Sequence, residues 1–242
     1  TLNLLDVMDI PYQILSPDTS NEEAHIISND IVRESLKYSK PHAIIVRKDS
    51  FSDYNIKNDN DTTSLLSRED AIKKIVNCLE GKEIIVSTTG VASRELFENR
   101  EDLKQGHYKD FLTVGSMGHA NMIALGVAQN TDRHVFCIDG DGASIMHLGN
   151  LTSTGQSGLK NLIHILLNNA AHDSVGGQPT CADKIDLPLI AKACGYVSFK
   201  SMSTLHDLRN YIQQIKDQTG PHFLEVKIRK GSRDDLGRPT SS

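Results

Sequence analysis

The chain has no tryptophan, and aromatic residues make up only 5% of its 242 positions. A core must therefore come from aliphatic side chains. Positive charge is also short: the formal net charge is -5, and no Lys/Arg stripe is interleaved with aromatics. Those absences argue against a nucleic-acid partner. Long apolar runs are missing too. Stretches such as residues 161–167 stop far short of the roughly 20 residues a membrane-spanning helix needs, so no membrane partner is expected. The first residues are polar and mixed, without a signal-peptide core. The four cysteines, Cys78, Cys137, Cys181 and Cys194, are widely spaced and form no Cys-x-x-Cys pair. They read as reduced thiols of a cytoplasmic protein. The chain begins at Thr1 rather than methionine, which points to a fragment or a processed chain.

What is present alternates. Residues 10–15 form a short apolar stretch. Residues 21–38 have helical periodicity, with Ile26, Ile27, Ile31, Val32 and Leu36 assigned to one face. Residues 42–46 are a β-branched run after Pro41, suited to a buried parallel strand. The Asn- and Asp-rich stretch from Asp53 to Ser64 has no apolar period and reads as a linker. From Ser67, a helix-start signal with Asp70 opens a second α/β unit. Helices are expected at 67–79, 93–99, 143–156, 187–193 and 204–218, and another follows the Gly-rich turn at Gly115. Strands are expected at 83–87, 134–139, 162–167, 196–200 and 222–228. This alternation predicts an α/β fold, a mostly parallel sheet covered by helices on both faces. The expected organisation is one domain remnant over 1–52, a linker over 53–66 and a second domain over 67–242.

Two motifs carry chemistry. Gly140-Asp141-Gly142 follows the strand 134–139, and Asn168-Asn169 follows the strand 162–167, about 25 residues later. In an open parallel sheet, ligands bind beyond the carboxyl ends of the strands, so one crossover helix can bring both motifs to the same rim. Mg²⁺ takes about six oxygens and usually shares them with phosphates and water. Asp141, the Asn169 carboxamide and the Ala171 carbonyl can supply the protein's share. Gly140 and Gly142 let the backbone approach phosphates closely. A helix opening at Ala143 offers N–H groups to an anion, and Ser144 adds a hydroxyl. No G-x-x-x-x-G-K-[ST] occurs, and the third glycine of a dinucleotide fingerprint is missing. Asp139 and Asp141 form a D-x-D, but a phosphatase-like reading leaves Asn168-Asn169 without a role. The pattern therefore predicts a diphosphate cofactor with a hard metal ion.

GDG followed by NN at this spacing resembles the signature of thiamine diphosphate-dependent decarboxylases. The turn GSMG, from Gly115 through Ser116 and Met117 to Gly118, is similar to that family's pyrimidine-binding turn. The resemblance implies that the Gly115 carbonyl and the Met117 N–H contact the pyrimidine, and that the Met117 side chain bends the cofactor. The turn Thr88-Thr89-Gly90 looks like the family's phosphate-side loop. The segments TTGVASRELFE, VGSMGHA, DGDGASIMHLGNL, NAAHDSVGGQPT and GSRDDLGRPT together resemble phosphonopyruvate decarboxylases, and IPYQILSPD with IIVRKDSF resembles the end of their pyrimidine-type domain.

What the resemblance implies is decarboxylation of a small anionic 2-oxo acid with thiamine diphosphate and Mg²⁺. It also implies a homo-oligomer with its site at a subunit interface. His172 is then the candidate catalytic residue, and His119, Ser174 and Gln178 are candidate substrate contacts. Arg229, Lys230, Arg233 and Arg238 form a basic tail that could attract an anion. The glutamate that activates the cofactor in this family has no match here, since Glu22 and Glu23 open a helix on the wrong element. The chain is therefore expected to carry the diphosphate half of a site. Two other readings stay open: sulfopyruvate decarboxylase, and a non-catalytic cofactor-binding or assembly module.

Overall fold

The computed structural model describes residues 1–52 and 64–237. Most of the expected linker, from Asp53 on, and Arg238 of the basic tail lie outside the described residues. The chain divides into two compact units, Thr1–Lys57 and Asn58–Ser242. No helix among the described residues is long and apolar enough to cross a membrane.

The first unit holds α1 (Leu2–Val7), β1 (Tyr12–Leu15), α2 (Asn21–Tyr38) and β2 (Ala43–Val46). Ser20 caps α2, its side chain accepting the Glu23 N–H, and Glu22 and Glu23 favour the positive end of the helix. β1 and β2 pair in parallel, Tyr12 opposite Ala43. Two expectations fail here. The strand over 42–46 is not buried: Ile44 and Val46 are 37% and 43% exposed. The apolar stripe of α2 is split, with Ile27 and Ile31 half-buried while Ile26, Val32 and Leu36 are exposed. A two-stranded sheet offers too little surface to cover a whole helix face.

In the second unit the chain runs α3 (Arg68–Asn77), β3 (Ile84–Ser87), α4 (Val91–Asp102), β4 (Asp110–Leu112), α5 (Ala120–Ala128), β5 (Val135–Gly140), α6 (Asp141–Met146), α7 (Asn150–Gly155) and β6 (Leu162–Asn168). It continues through β7 (Ala171–His172), β8 (Gln178–Pro179), α8 (Leu187–Cys194), β9 (Ser198–Met202), α9 (Leu205–Ile215) and β10 (His222–Lys227). Six strands form one parallel sheet in the order β4-β3-β5-β6-β10-β9. Successive strand residues face opposite sides, and the core follows that rule. Phe136, Ile138, Ile163, Ile165, Leu224 and Val226 pack under α3, α4 and α9. Val135, Cys137 and Leu162 meet α5 on the other face, while Leu166 and Phe223 meet α7 and α8. All seven residues of β6 are buried, as befits a strand covered on both faces.

The helix expected over 143–156 is two helices. It starts at Asp141 and breaks at His147, where φ is -129° and ψ 49°. The break lets the His147 ring sit 4.4 Å from that of His119, and lets the Asn150 carboxamide donate to the Gly118 carbonyl at 3.1 Å. α6 is thus only six residues long, so the anion attraction expected of a full helix dipole at Ala143 shrinks to the nearby N–H groups. The edge strand β4, the short hairpin β7–β8 and α1 lack a periodic signal and were not foreseen.

α7 and α8 touch through Gly155. A Cβ there would lie 2.6 Å from the carbonyl carbon of Cys194. Gly155→Ala is expected to force the helices apart and cost about 1–3 kcal/mol, measurable as a lowered urea midpoint with an unchanged slope.

Candidate functional site

The chain leaves β3 toward β4 on one side, and from β5 it proceeds toward β6 on the other. That reversal opens a crevice beyond the carboxyl ends of β3 and β5, the usual ligand position in such sheets. A cleft of about 270 Å³ lies there. Of the residues singled out from the sequence, it brings together Thr89, Gly90, Met117, Gly140, Asp141, Gly142, Ala143, Asn169, Ala171, His172 and Ser174. Gly115, Ser116, Gly118, Ser144, His119 and Gln178 do not line it. Ser144 is buried, whereas His119 and Gln178 are exposed. The His119 ring packs on His147, with its Nδ1 3.1 Å from the Ser116 carbonyl.

Asp141 is 2% exposed. Burial pushes its carboxyl above the ordinary carboxylate range; the Thr180 hydroxyl and the backbone N–H groups of Asp141, Asn169 and Gly142 pull the other way. Thr180 donates to Asp141 Oδ2 at 2.5 Å. These donors are all neutral. A buried carboxylate with only neutral partners is a favourable place for a cation.

The two asparagines divide their work. Asn168 donates to Glu225 on β10 at 2.6 Å and accepts the Ala170 N–H at 3.0 Å. Asn169 donates to Asp173 Oδ2 at 2.6 Å and accepts the Ala171 N–H at 3.1 Å. Two successive side-chain turns of this kind hold the backbone through Ala170, whose φ is +53°. Asn168 is therefore an anchor. Asn169 faces the cleft, and its bond to Asp173 fixes which end of the carboxamide is oxygen.

Behind Asn169 lies an ion network not foreseen from the sequence. Arg68 donates to Glu95 at 3.0 Å, to Asp173 at 3.1 Å and to the Gly231 carbonyl at 3.1 Å. The Gly231 N–H returns to Asp173 at 2.9 Å. Burial raises the Glu95 carboxyl, and Arg68 opposes that shift. Thr88, the first residue of the turn read as a phosphate-side loop, also lines the cleft. Its Oγ1 is buried in the cleft wall without a hydrogen-bond partner among the described residues.

Three glycines matter because side chains occupy their space. A Cβ on Gly142 would lie 2.6 Å from His172 Nδ1, and one on Gly90 would lie 2.5 Å from Ser174 Oγ. A Cβ on Gly118 would meet His147 and the Ala143 carbonyl. Ser174 Oγ also accepts the Val91 N–H at 3.3 Å, so this expected substrate donor helps cap α4. The cleft fits a metal–diphosphate group on two counts. Its buried carboxylate lacks a counter-charge, and Thr88 presents an unused hydroxyl. Asp141, the Asn169 oxygen and a carbonyl are hard oxygen donors of the kind Mg²⁺ takes.

The profile of the thiamine pyrophosphate enzyme family, C-terminal TPP binding domain, matches residues 89–226. The chain is 41% identical over 169 residues to a phosphonopyruvate decarboxylase of Streptomyces viridochromogenes, covering 70% of this chain and 41% of that one. It is 38% identical over 166 residues to the sulfopyruvate decarboxylase subunit beta of Methanocaldococcus jannaschii, covering 67% of this chain and 82% of that subunit. A thiamine diphosphate-dependent 4-hydroxybenzoylformate decarboxylase of Rhodococcus jostii RHA1 shares the fold at TM-score 0.59 and 16% identity, over 76% of this chain and 36% of that one. The chain belongs to the thiamine pyrophosphate enzymes. Within them it sides with the phosphonopyruvate and sulfopyruvate decarboxylases, and it spans about two fifths of the phosphonopyruvate decarboxylases it matches.

Asp173→Ala would leave Arg68 with one carboxylate and free the Asn169 carboxamide. We expect a loss of about 3 kcal/mol or more. Amide exchange should also accelerate between Asn169 and Val175, read by mass spectrometry.

Proposed function

We propose that this chain supplies the diphosphate and metal half of a thiamine diphosphate–Mg²⁺ site, and that the enzyme it belongs to decarboxylates 3-phosphonopyruvate to phosphonoacetaldehyde and CO₂. One observation supports the reading: Asp141, Asn169 and Ala171 line one cleft, and the Asn169 backbone lies near enough to the Asp141 carboxylate to favour its charged form. Asp141, Asn169 and Ala171 would hold Mg²⁺. Thr88, Thr89, Gly90 and the N–H groups of Gly142 and Ala143 would hold the diphosphate. Met117 lines the same cleft and would support the cofactor's bend. The bound cofactor supplies the electron sink for loss of CO₂. His172, packed on Gly142, is the protein group placed to move a proton near the cofactor.

Among the described residues lining the cleft, Arg68 is the lone Lys or Arg, and Glu95 and Asp173 already engage it. The charge of a phosphonate must then be met from outside the cleft. That favours a site completed by another subunit, in keeping with relatives described as subunit beta. We place the enzyme in the cytoplasm, a reading supported by four free cysteines. Sulfopyruvate is the second substrate reading, supported by relatives of comparable identity.

Calorimetric titration of thiamine diphosphate should show binding that depends on Mg²⁺. Asp141→Ala should weaken it by at least about tenfold, the lower bound for disturbing even the outer shell of a metal site. Equal binding by the variant would remove Asp141 from the metal site. For the substrate, CO₂ release should be fastest with phosphonopyruvate when it, sulfopyruvate and pyruvate are compared on the assembled enzyme. A preference for pyruvate overturns the phosphonate assignment, and no release from any of the three would favour a non-catalytic module.

A further inference from the structure

A second cluster of ligating side chains lies on the sheet face that α5 covers, next to the cleft, which one member, Asp139, also lines. Cys137 and Asp139 are two residues apart on β5, so both project to that face. The register sets Cys137 opposite His164 on β6. The cysteine sulfur, a carboxylate oxygen and a ring nitrogen all lie within 4.8 Å of one another. Each residue is at most 1% exposed.

The outer atoms of this cluster are held, and the inner atoms are not. Asp139 Oδ1 accepts the Gly140 N–H at 2.9 Å, and His164 Nδ1 stands 3.1 Å from the Tyr196 hydroxyl. Asp139 Oδ2 and His164 Nε2 face each other at 3.4 Å, yet neither makes a hydrogen bond. Two fully buried polar atoms in so long a contact, without a hydrogen bond, are costly. Their separation matches two ligands about 2.0–2.1 Å from one ion at a tetrahedral angle. The arrangement of the outer atoms is also that of metal sites, where a second shell orients each ligand through its far side.

We propose that Cys137, Asp139 and His164 form a structural site for a Zn²⁺-type ion, separate from the Mg²⁺ position at Asp141. One sulfur, one nitrogen and one oxygen suit a borderline ion and not Mg²⁺, which takes oxygen alone. The charges close: a thiolate, a carboxylate and a neutral imidazole cancel a divalent ion, and one trapped water would fill the fourth tetrahedral position. Burial, helped by the Asp139 charge, pushes the free Cys137 thiol well above its ordinary range. Ion binding therefore displaces one proton, from sulfur to solvent, as the metal–sulfur bond forms. The ion would fasten β5 to β6 directly beneath the Gly140–Gly142 turn.

The test uses the whole untagged chain, expressed with zinc, because so buried a site must be loaded as the protein folds. Elemental analysis should find about one Zn²⁺ per chain, falling to below about a tenth in Cys137→Ser and His164→Gln. Asp141→Ala should keep its zinc, which separates this site from the cofactor reading. If the variants fail to fold, cobalt-loaded wild-type protein still decides the matter. A thiolate-to-cobalt charge-transfer band supports the site. Background zinc in the wild type, or cobalt protein without that band, overturns it and leaves Asp139 and His164 as a plain buried pair.

Discussion

The approach of Asn169 to Asp141 ties the candidate site together. Asn169, just past the end of β6, and Asp141, just past the end of β5, line the same cleft, and the Asn169 backbone N–H favours the Asp141 carboxylate. Strand pairing already sets Gly140 beside Leu167. That pairing brings the two loops beyond the ladder together as one floor of the cleft. Much of the surrounding polar structure exists to hold this contact. Thr180 supports the acid, while Asn168 and Glu225 anchor the turn from behind.

The Arg68 network gives the floor its rigidity. Arg68 starts α3, Glu95 lies on α4, Asp173 follows the hairpin strand β7, and Gly231 is beyond β10. Four distant parts of the second unit thus meet behind one carboxamide. A buried arginine with two acid partners adds little net stability over an apolar plug of equal volume. What it adds here is direction. The acids leave Asn169 one orientation, with its oxygen end free of Asp173.

How much of this was legible depended on whether a residue type was forced by its own chemistry. Asp141, Asn169 and their glycines could be read because few side chains suit a hard cation beside a close backbone. The parallel sheet could be read because β-branched and apolar runs alternate with helical periods. Arg68, 27 and 105 residues from its two acids, gave no local sign of its partners. The break at His147 was hidden because apolar periodicity runs across it, and only the Gly118–His147 contact reveals why the helix stops. In the first unit, the pattern on α2 and β2 overstated burial because it registers apolar character and not the surface available to cover it.

Ala170 carries a consequence for how this sequence can diverge. It sits in the left-handed region with φ +53°, between two asparagine side-chain turns. A branched side chain clashes with its own backbone in that conformation, whereas glycine or asparagine adopts it at small cost. The position is thus a narrow evolutionary gate. A valine or isoleucine placed after the asparagine pair would strain the turn that presents Asn169.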